Sequence, residues 1–128
     1  MGDLISDFFS HLYNCQVAGK REVIVRPWSK LLEGVLDTMK RYGYIKNYEV
    51  VKNIRGGFIR IELSGRINKC GAIRPRFPVK LEEMEKWEKR YLPAKDFGIL
   101  ILSTPKGIIS HLEAKKKHTG GILLGYVY

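Results

Sequence analysis

The chain has 128 residues, 45% of them hydrophobic, a composition that suits one compact domain, or two small ones sharing an interface, and excludes a disordered chain as the default. Lysine and arginine number 23 against 13 aspartate and glutamate, for a formal net charge of +10. Such a field attracts polyanions: nucleic acid first, an anionic membrane surface second, an acidic protein partner third.

No apolar run approaches the ~20 residues of a membrane span. The start Met1-Gly2-Asp3-Leu4 carries an acid and no basic region, which argues against a signal peptide. Met1-Gly2 with Ser6 meets the myristoylation pattern only loosely. Cys15 and Cys70 form no CxxC pair, which fits reduced thiols in a cytoplasmic protein.

In chain order, Asp3 can cap a first helix, in which Leu4, Ile5, Phe8, Phe9, Leu12 and Tyr13 recur at helical spacing until Gly19. Glu22 to Arg26 reads as a short strand ended by Pro27. Ser29 is a plausible N-cap for a second helix with Leu31, Leu32, Val35, Leu36 and Met39 on one face, and Gly43 as its stop. A hairpin follows: strand Ile45 to Ile54, turn Arg55-Gly56-Gly57, strand Phe58 to Leu63. From Arg66 to Lys80 five cations (Arg66, Lys69, Arg74, Arg76, Lys80) stand without an acid, and Cys70-Gly71, Pro75 and Pro78 break up regular structure. This is the natural junction between domains at 1–65 and 66–128.

Beyond it, Glu82 to Tyr91 reads as a short helix with Met84, Trp87 and Tyr91 on one side. Phe97 to Leu102 is a buried strand, Ser103-Thr104-Pro105-Lys106-Gly107 a polar loop. Ser110 and Glu113 form a capping box for a helix through Lys117. His118-Thr119-Gly120-Gly121 is a turn before a last strand, Ile122 to Tyr128. The predicted class is α+β: two small α/β domains packed together, the first α-β-α-β-β, the second mostly β with short helices.

Catalytic patterns are weak. Neither Ser103 nor Ser110 lies in a nucleophile elbow that His111 could serve. Cys15 and His11 are four apart on one helix, but a cysteine beside an apolar helical face is mostly packing. His11, His111, His118, Cys15 and Cys70 show no zinc spacing, and no metal or cofactor is expected. The better candidates bind polyanions. Ser103, Thr104, Lys106 and Gly107 offer two hydroxyls, a cation and a glycine after a rigid strand, suited to ribose, base edges and phosphate, although an ordinary connecting loop would look the same. Gly120-Gly121 can let a backbone approach RNA closely, with Lys116 just upstream, or can simply end a helix. Lys69, Arg74 and Arg76 stand in the acid-free stretch, which favours backbone contact over a solvated run.

Several segments together resemble the universal small-subunit ribosomal protein family number eight, in its archaeal and eukaryotic branch (whose eukaryotic members are called number fifteen-a). They are Val25-Arg26-Pro27 with Ser29-Lys30, Tyr42-Gly43-Tyr44-Ile45, Gly65 to Gly71, Pro75-Arg76-Phe77, Phe97-Gly98, Leu102-Ser103-Thr104 with Gly107-Ile108, and Lys117 to Gly121. The resemblance implies two packed α/β domains and a non-enzymatic, primary binder of small-subunit rRNA. The RNA would be a central-domain helix with an internal loop, beside neighbouring small-subunit proteins, the protein acting as a monomer within the ribosome. It implies RNA contacts at Ser103, Thr104, Gly107, Gly120 and Gly121, and at Asn14, Ser29 and Lys30. Pro105 and Ile122 depart from it, since many members carry serine and a polar or charged residue there. Alternatives are a translational autorepressor acting on its own mRNA and an RNA-processing enzyme.

Overall fold

A computed structural model describes residues 4–128, so the Asp3 cap and the Met1-Gly2 motif lie outside it. The first helix, α1 (Leu4–Val17), buries Ile5, Phe8, Phe9, Leu12 and Cys15. That is the three-and-four spacing that puts a stripe on one helix face. Gly19 follows at φ +76, a conformation only glycine adopts without strain. In β1 (Glu22–Val25) Val23 and Val25 point inward. Ser29 caps α2 (Lys30–Arg41), its hydroxyl accepting from the amides of Leu31 and Leu32. β2 (Ile45–Val51) and β3 (Phe58–Leu63) complete an antiparallel sheet of order β1-β3-β2.

Here the structure shortens a predicted strand. β2 stops at Val51 rather than Ile54, because Asn53 Oδ1 accepts from the amides of Arg55 (2.8 Å) and Gly57 (3.0 Å) and curls the chain. Ile54 is left fully exposed.

The second sheet overturns two expectations. Residues 66–80 are not irregular: β4 (Cys70–Ala72) and β5 (Pro78–Val79) both pair with the last strand, β8 (Gly121–Val127). Buried Ile67, Cys70, Ile73 and Val79 anchor this stretch between its exposed cations. The segment after β6 (Ile99–Thr104) is not an open loop leading to a helix either. It turns tightly at Pro105-Lys106 into β7 (Gly107–Ser110), with Thr104 opposite Gly107 and Ser103 opposite Ile108. The sheet order is β4-β8-β6-β7, with β5 also on β8. A 3-10 turn (Leu81–Glu83) leads into α3 (Met84–Tyr91), and α4 (His111–Lys116) follows β7.

β6 is apolar from Ile99 to Leu102 because both its faces are covered there. Ile99 and Ile101 join Phe8, Phe9, Leu12, Leu124 and Val127 in the larger core, which α1 shares with Val23, Ile59 and Ile61 of the first sheet. Leu100 and Leu102 join Met84, Trp87, Ala114 and Leu123 under α3 and α4. Phe97, assigned to this strand from sequence, lies outside it and is half exposed. α2 ties the two sheets together. The Thr38 hydroxyl reaches Ile108 O at 3.1 Å, and a Cβ on Gly34 would stand 2.6 Å from Ile108 Cδ1.

Candidate nucleic-acid interface

The β6–β7 turn is braced from inside. Thr104 Oγ1 donates to Gly107 O (2.7 Å) and accepts from the Lys106 amide (3.1 Å). Its hydrogen is therefore engaged, and one lone pair remains for a ligand. Lys106 Nζ donates to Lys117 O (2.9 Å) at the C-terminal end of α4, where a cation also meets the negative end of the helix dipole. The Ser103 hydroxyl, half-buried, makes no hydrogen bond among the described residues. Gly107 sits at φ +115 with nothing near its Cα hydrogen, so there the backbone conformation demands glycine.

The double glycine has another cause. Neither residue takes the left-handed conformation after α4; His118 does, at φ 51. What a side chain would meet explains the pair. A Cβ on Gly120 would lie 2.3 Å from Val79 O, and one on Gly121 2.5 Å from Ser103 O and 2.7 Å from Thr104 Cγ2. The glycines let β8 run tight between β5 and β6, and they bring Ser103, Thr104 and the start of β8 together.

Beneath this end lies a polar frame. Leu100 N–H donates to His111 Nδ1 at 3.0 Å, which leaves the ring proton on Nε2, 2.9 Å from Glu88 Oε1. Lys115 Nζ reaches the same oxygen at 2.6 Å. Burial pushes the His111 pKa below its ordinary value, assisted by the Lys115 charge and opposed by Glu88 and Asp96. Ser110 accepts from the Glu113 amide and lies 2.7 Å from the Tyr42 hydroxyl, while Glu113 pairs with Arg41 at 3.0 Å. Burial would raise the Glu113 pKa, but the bonds from Arg41 and Ser110 outweigh it and hold it below the usual value.

The predicted site residues therefore divide. Ser103, Thr104, Lys106, Gly107, Gly120 and Gly121 gather at one end of the second sheet, with Lys116 exposed in the last turn of α4. Lys30 opens α2 one helical turn before Gly34, which abuts Ile108. Arg74 and Arg76 lie on an exposed bulge between β4 and β5, and Arg74 Nε is bonded to Ser6 Oγ. Lys69 is hydrogen-bonded through its backbone to Tyr128, about 20 Å along β8 from Gly121 at the usual strand rise. Asn14 lies exposed on α1, which packs mainly against β4, β1 and β8. Sequence reasoning counted Lys80 in the acid-free stretch but did not set it beside the double glycine; its Cα lies 3.2 Å from where a Gly120 Cβ would be. Its place became visible only with the β5–β8 pairing.

The nucleophile patterns come apart. Both ring nitrogens of His111 are engaged, and Ser110 caps α4. Cys15 Sγ is 3.9 Å from His11 Nδ1, buried in the core. Burial pushes the Cys70 thiol up to about 12, so it is protonated at neutral pH. Among the described residues, no group of three His, Cys, Asp or Glu could hold a metal ion, and no helix is long and apolar enough to cross a membrane.

Fold and surface define a basic α+β protein whose second sheet ends in a rigid, braced hairpin with cations around it. The chain belongs to the Ribosomal protein S8 family, whose model matches residues 3–128. It is 52% identical over 126 residues to the small ribosomal subunit protein uS8 of Archaeoglobus fulgidus, covering 98% of each chain. The protein of the same name from Caldivirga maquilingensis is 51% identical over 128 residues, 100% of this chain and 98% of the relative. That of Thermoplasma acidophilum is 52% identical over 126 residues, 98% of each.

Proposed function

We propose that this chain is a structural, non-enzymatic protein of the small ribosomal subunit that binds the central domain of its rRNA, at a helix with an internal loop, and helps assemble the platform. The observation that carries this reading is the braced end of the second sheet, in a chain half identical over its full length to proteins named for the small subunit. Ser103, the free lone pair of Thr104 and the backbone of Gly107, Gly120 and Gly121 would set register against ribose and phosphate. Lys106, Lys116 and Lys30 would supply salt-sensitive affinity, with Arg74 and Arg76 alongside; Lys69 and Asn14 would be outlying contacts. Residues 1–65 and 66–128 would act as two units, the second carrying most of the recognition, next to other small-subunit proteins.

Hydroxyl-radical footprinting of the protein on small-subunit rRNA tests this. Protection confined to one central-domain helix supports the reading. Diffuse protection that vanishes with added salt sinks it and leaves a generic basic protein.

A further inference from the structure

Aromatic rings form an unbranched run where α3 meets the second sheet. Ring centres are separated by 5.1 Å from Phe77 to Trp87, 6.2 Å on to Tyr91, 5.5 Å to Tyr126, 6.2 Å to Tyr128 and 6.2 Å to Phe97. Sequence spacing builds it. Trp87 and Tyr91 are four apart on α3, and Tyr126 and Tyr128 two apart at the end of β8, so each pair shares a face. Stacked rings are ordinary packing material; the order of these rings and the charge around them carry the argument.

The interior links are one indole and three phenols, side chains that give up a single electron readily. A phenylalanine, which does not, closes each end. Trp87 is only 7% exposed, the three tyrosines are half-buried and Phe97 is 49% exposed, so the run leads from the second core to the surface. Lys86 Nζ stands 5.7 Å and the Arg90 guanidinium 5.4 Å from the Trp87 ring centre, and Arg90 is 5.8 Å from that of Tyr91. Among the described residues no cation is stacked on Tyr126 or Tyr128. A positive charge over a ring opposes an electron vacancy in it, so a vacancy is least stable on Trp87 and moves toward Tyr128. The hydroxyls of Tyr91, Tyr126 and Tyr128 make no hydrogen bond among the described residues, which leaves water to receive their protons. Burial raises the Tyr126 pKa, against the Lys69 charge, so this phenol keeps its proton until it is oxidised. Fully buried Met84 packs in the same cluster as Trp87, and its sulfoxide would put a polar group into that core.

We propose that Trp87, Tyr91, Tyr126 and Tyr128 form a relay that carries oxidising equivalents out of the second core to the surface, where a soluble thiol removes them. A one-electron oxidant, an oxygen-derived radical, takes an electron from the Trp87 indole and is itself reduced. Tyr91 refills the indole and releases its phenolic proton to water. Tyr126 and then Tyr128 pass an electron back in the same way, and each regenerated phenol regains a proton from water. The net loss is one electron and one proton at Tyr128. A thiol then gives Tyr128 a hydrogen atom, and two thiyl radicals join as a disulfide.

The test uses the full chain carrying Trp28→Phe, which leaves Trp87 as the sole indole, and a photogenerated ruthenium(III) polypyridine complex as oxidant. Tyrosine-to-phenylalanine changes keep the rings, and circular dichroism confirms folding. Transient absorption is expected to show the indolyl radical giving way to a tyrosyl radical, and spin trapping with peptide mass spectrometry to place the adduct on Tyr128. Tyr91→Phe should slow that conversion severalfold and, with glutathione present, raise the yield of oxidised Trp87 and Met84. Tyr48→Phe, in the first sheet, should change neither. If Tyr91→Phe and Tyr126→Phe convert at the parent rate, or the adduct falls on Tyr13, Tyr42, Tyr44 or Tyr48, the rings are packing alone and the relay fails. Slower conversion in Tyr91→Phe without more oxidised Trp87 or Met84 would overturn the protective role. None of these outcomes bears on RNA binding, which the variants should leave intact.

Discussion

The two hairpins are built on the same device and turn it to different ends. Each tip is closed by one side-chain oxygen that bonds backbone groups of its own turn, Asn53 in the first sheet and Thr104 in the second. The β6–β7 hairpin stands on a strand buried on both faces, and its only turn cation is tied to α4. The β2–β3 tip stands on an outer strand, β2, and sends Lys52, Ile54 and Arg55 outward. The difference separates shape from charge. A surface whose polar atoms are already half engaged can recognise a partner mainly by fit, and one whose cations no carboxylate neutralises can add affinity at little geometric demand.

The sharpest way to break that comparison is to strain each hairpin at its glycine. Gly121→Ala places a methyl 2.5 Å from Ser103 O in a sheet that cannot give way, and Gly57→Ala places one 2.2 Å from Val51 O at φ +69. Each is expected to cost about 2–3 kcal/mol, read from the urea midpoint. Hydrogen exchange should separate them. Gly121→Ala should raise exchange along β6 and β8 and leave β2 protected, and Gly57→Ala the reverse. Global loss of protection from both would mean that the hairpins are not independently held.

The second hairpin also rests on a buried titrating group, His111. Glu88→Ala would leave the buried Nε2–H of His111 and the Lys115 ammonium without their partner, at a cost of about 1–3 kcal/mol. Because the folded His111 pKa lies below the unfolded value, the unfolded chain takes up the proton first as pH falls. The stability His111 contributes is full above about pH 6.5, the unfolded value, and declines below it through the folded pKa. Denaturant midpoints measured from pH 7.5 downward should show this decline, and His111→Gln should remove that part of the slope. An unchanged profile would show that the imidazole is not the group responsible.

Much of this architecture was legible in the residues. Helical spacing located α1 and α2, the Ser110–Glu113 box located α4, and the double-faced apolar run located β6. What escaped was pairing between distant segments. β4 and β5 are three and two residues long, too short to show a period, and exist because β8 offers them an edge. Without that pairing, Gly120-Gly121 read as either a helix stop or a place for RNA to approach; the structure adds a close approach of strands that neither reading contained. The same blindness hid β7, since Gly107 to Ser110 reads as the tail of a loop until Thr104 is seen opposite Gly107. The site residues were identifiable as types, but which of them meet, and that Lys69 and Asn14 stand apart from the rest, is decided by register and packing.

A gentler pair of changes asks whether the braces matter to RNA or only to the turns. Thr104→Ala removes a donor and an acceptor from the second turn, and Asn53→Ala removes the acceptor of two amides from the first. Thr104→Ala is expected to weaken binding to the central-domain rRNA fragment about fivefold, near 1 kcal/mol, with the salt slope intact. Thr104→Ser keeps the hydroxyl and should bind as the parent does. Equal loss in alanine and serine variants would place the effect in the methyl group, which lies against β8 at Gly121, and not in the brace. Asn53→Ala loosens the tip that presents Lys52 and Arg55, so it should lower the slope as well as the affinity.

Lys106 carries the smallest and most discriminating expectation. Its ammonium already donates to Lys117 O at 2.9 Å, so contact with a phosphate requires either sharing that proton donor set or leaving α4. An ammonium has three donors, and one bond to a carbonyl leaves two for a phosphate oxygen. Lys106→Ala is therefore expected to lower the salt slope by about 0.7 to 0.9, the change for one phosphate contact, with a small loss of affinity. Lys106→Gln keeps a donor toward Lys117 O and removes the charge. If it matches the parent in slope, the Lys106 side chain fastens the turn to α4 and does not touch RNA, and the charge at this end of the molecule comes from Lys116 and Lys30.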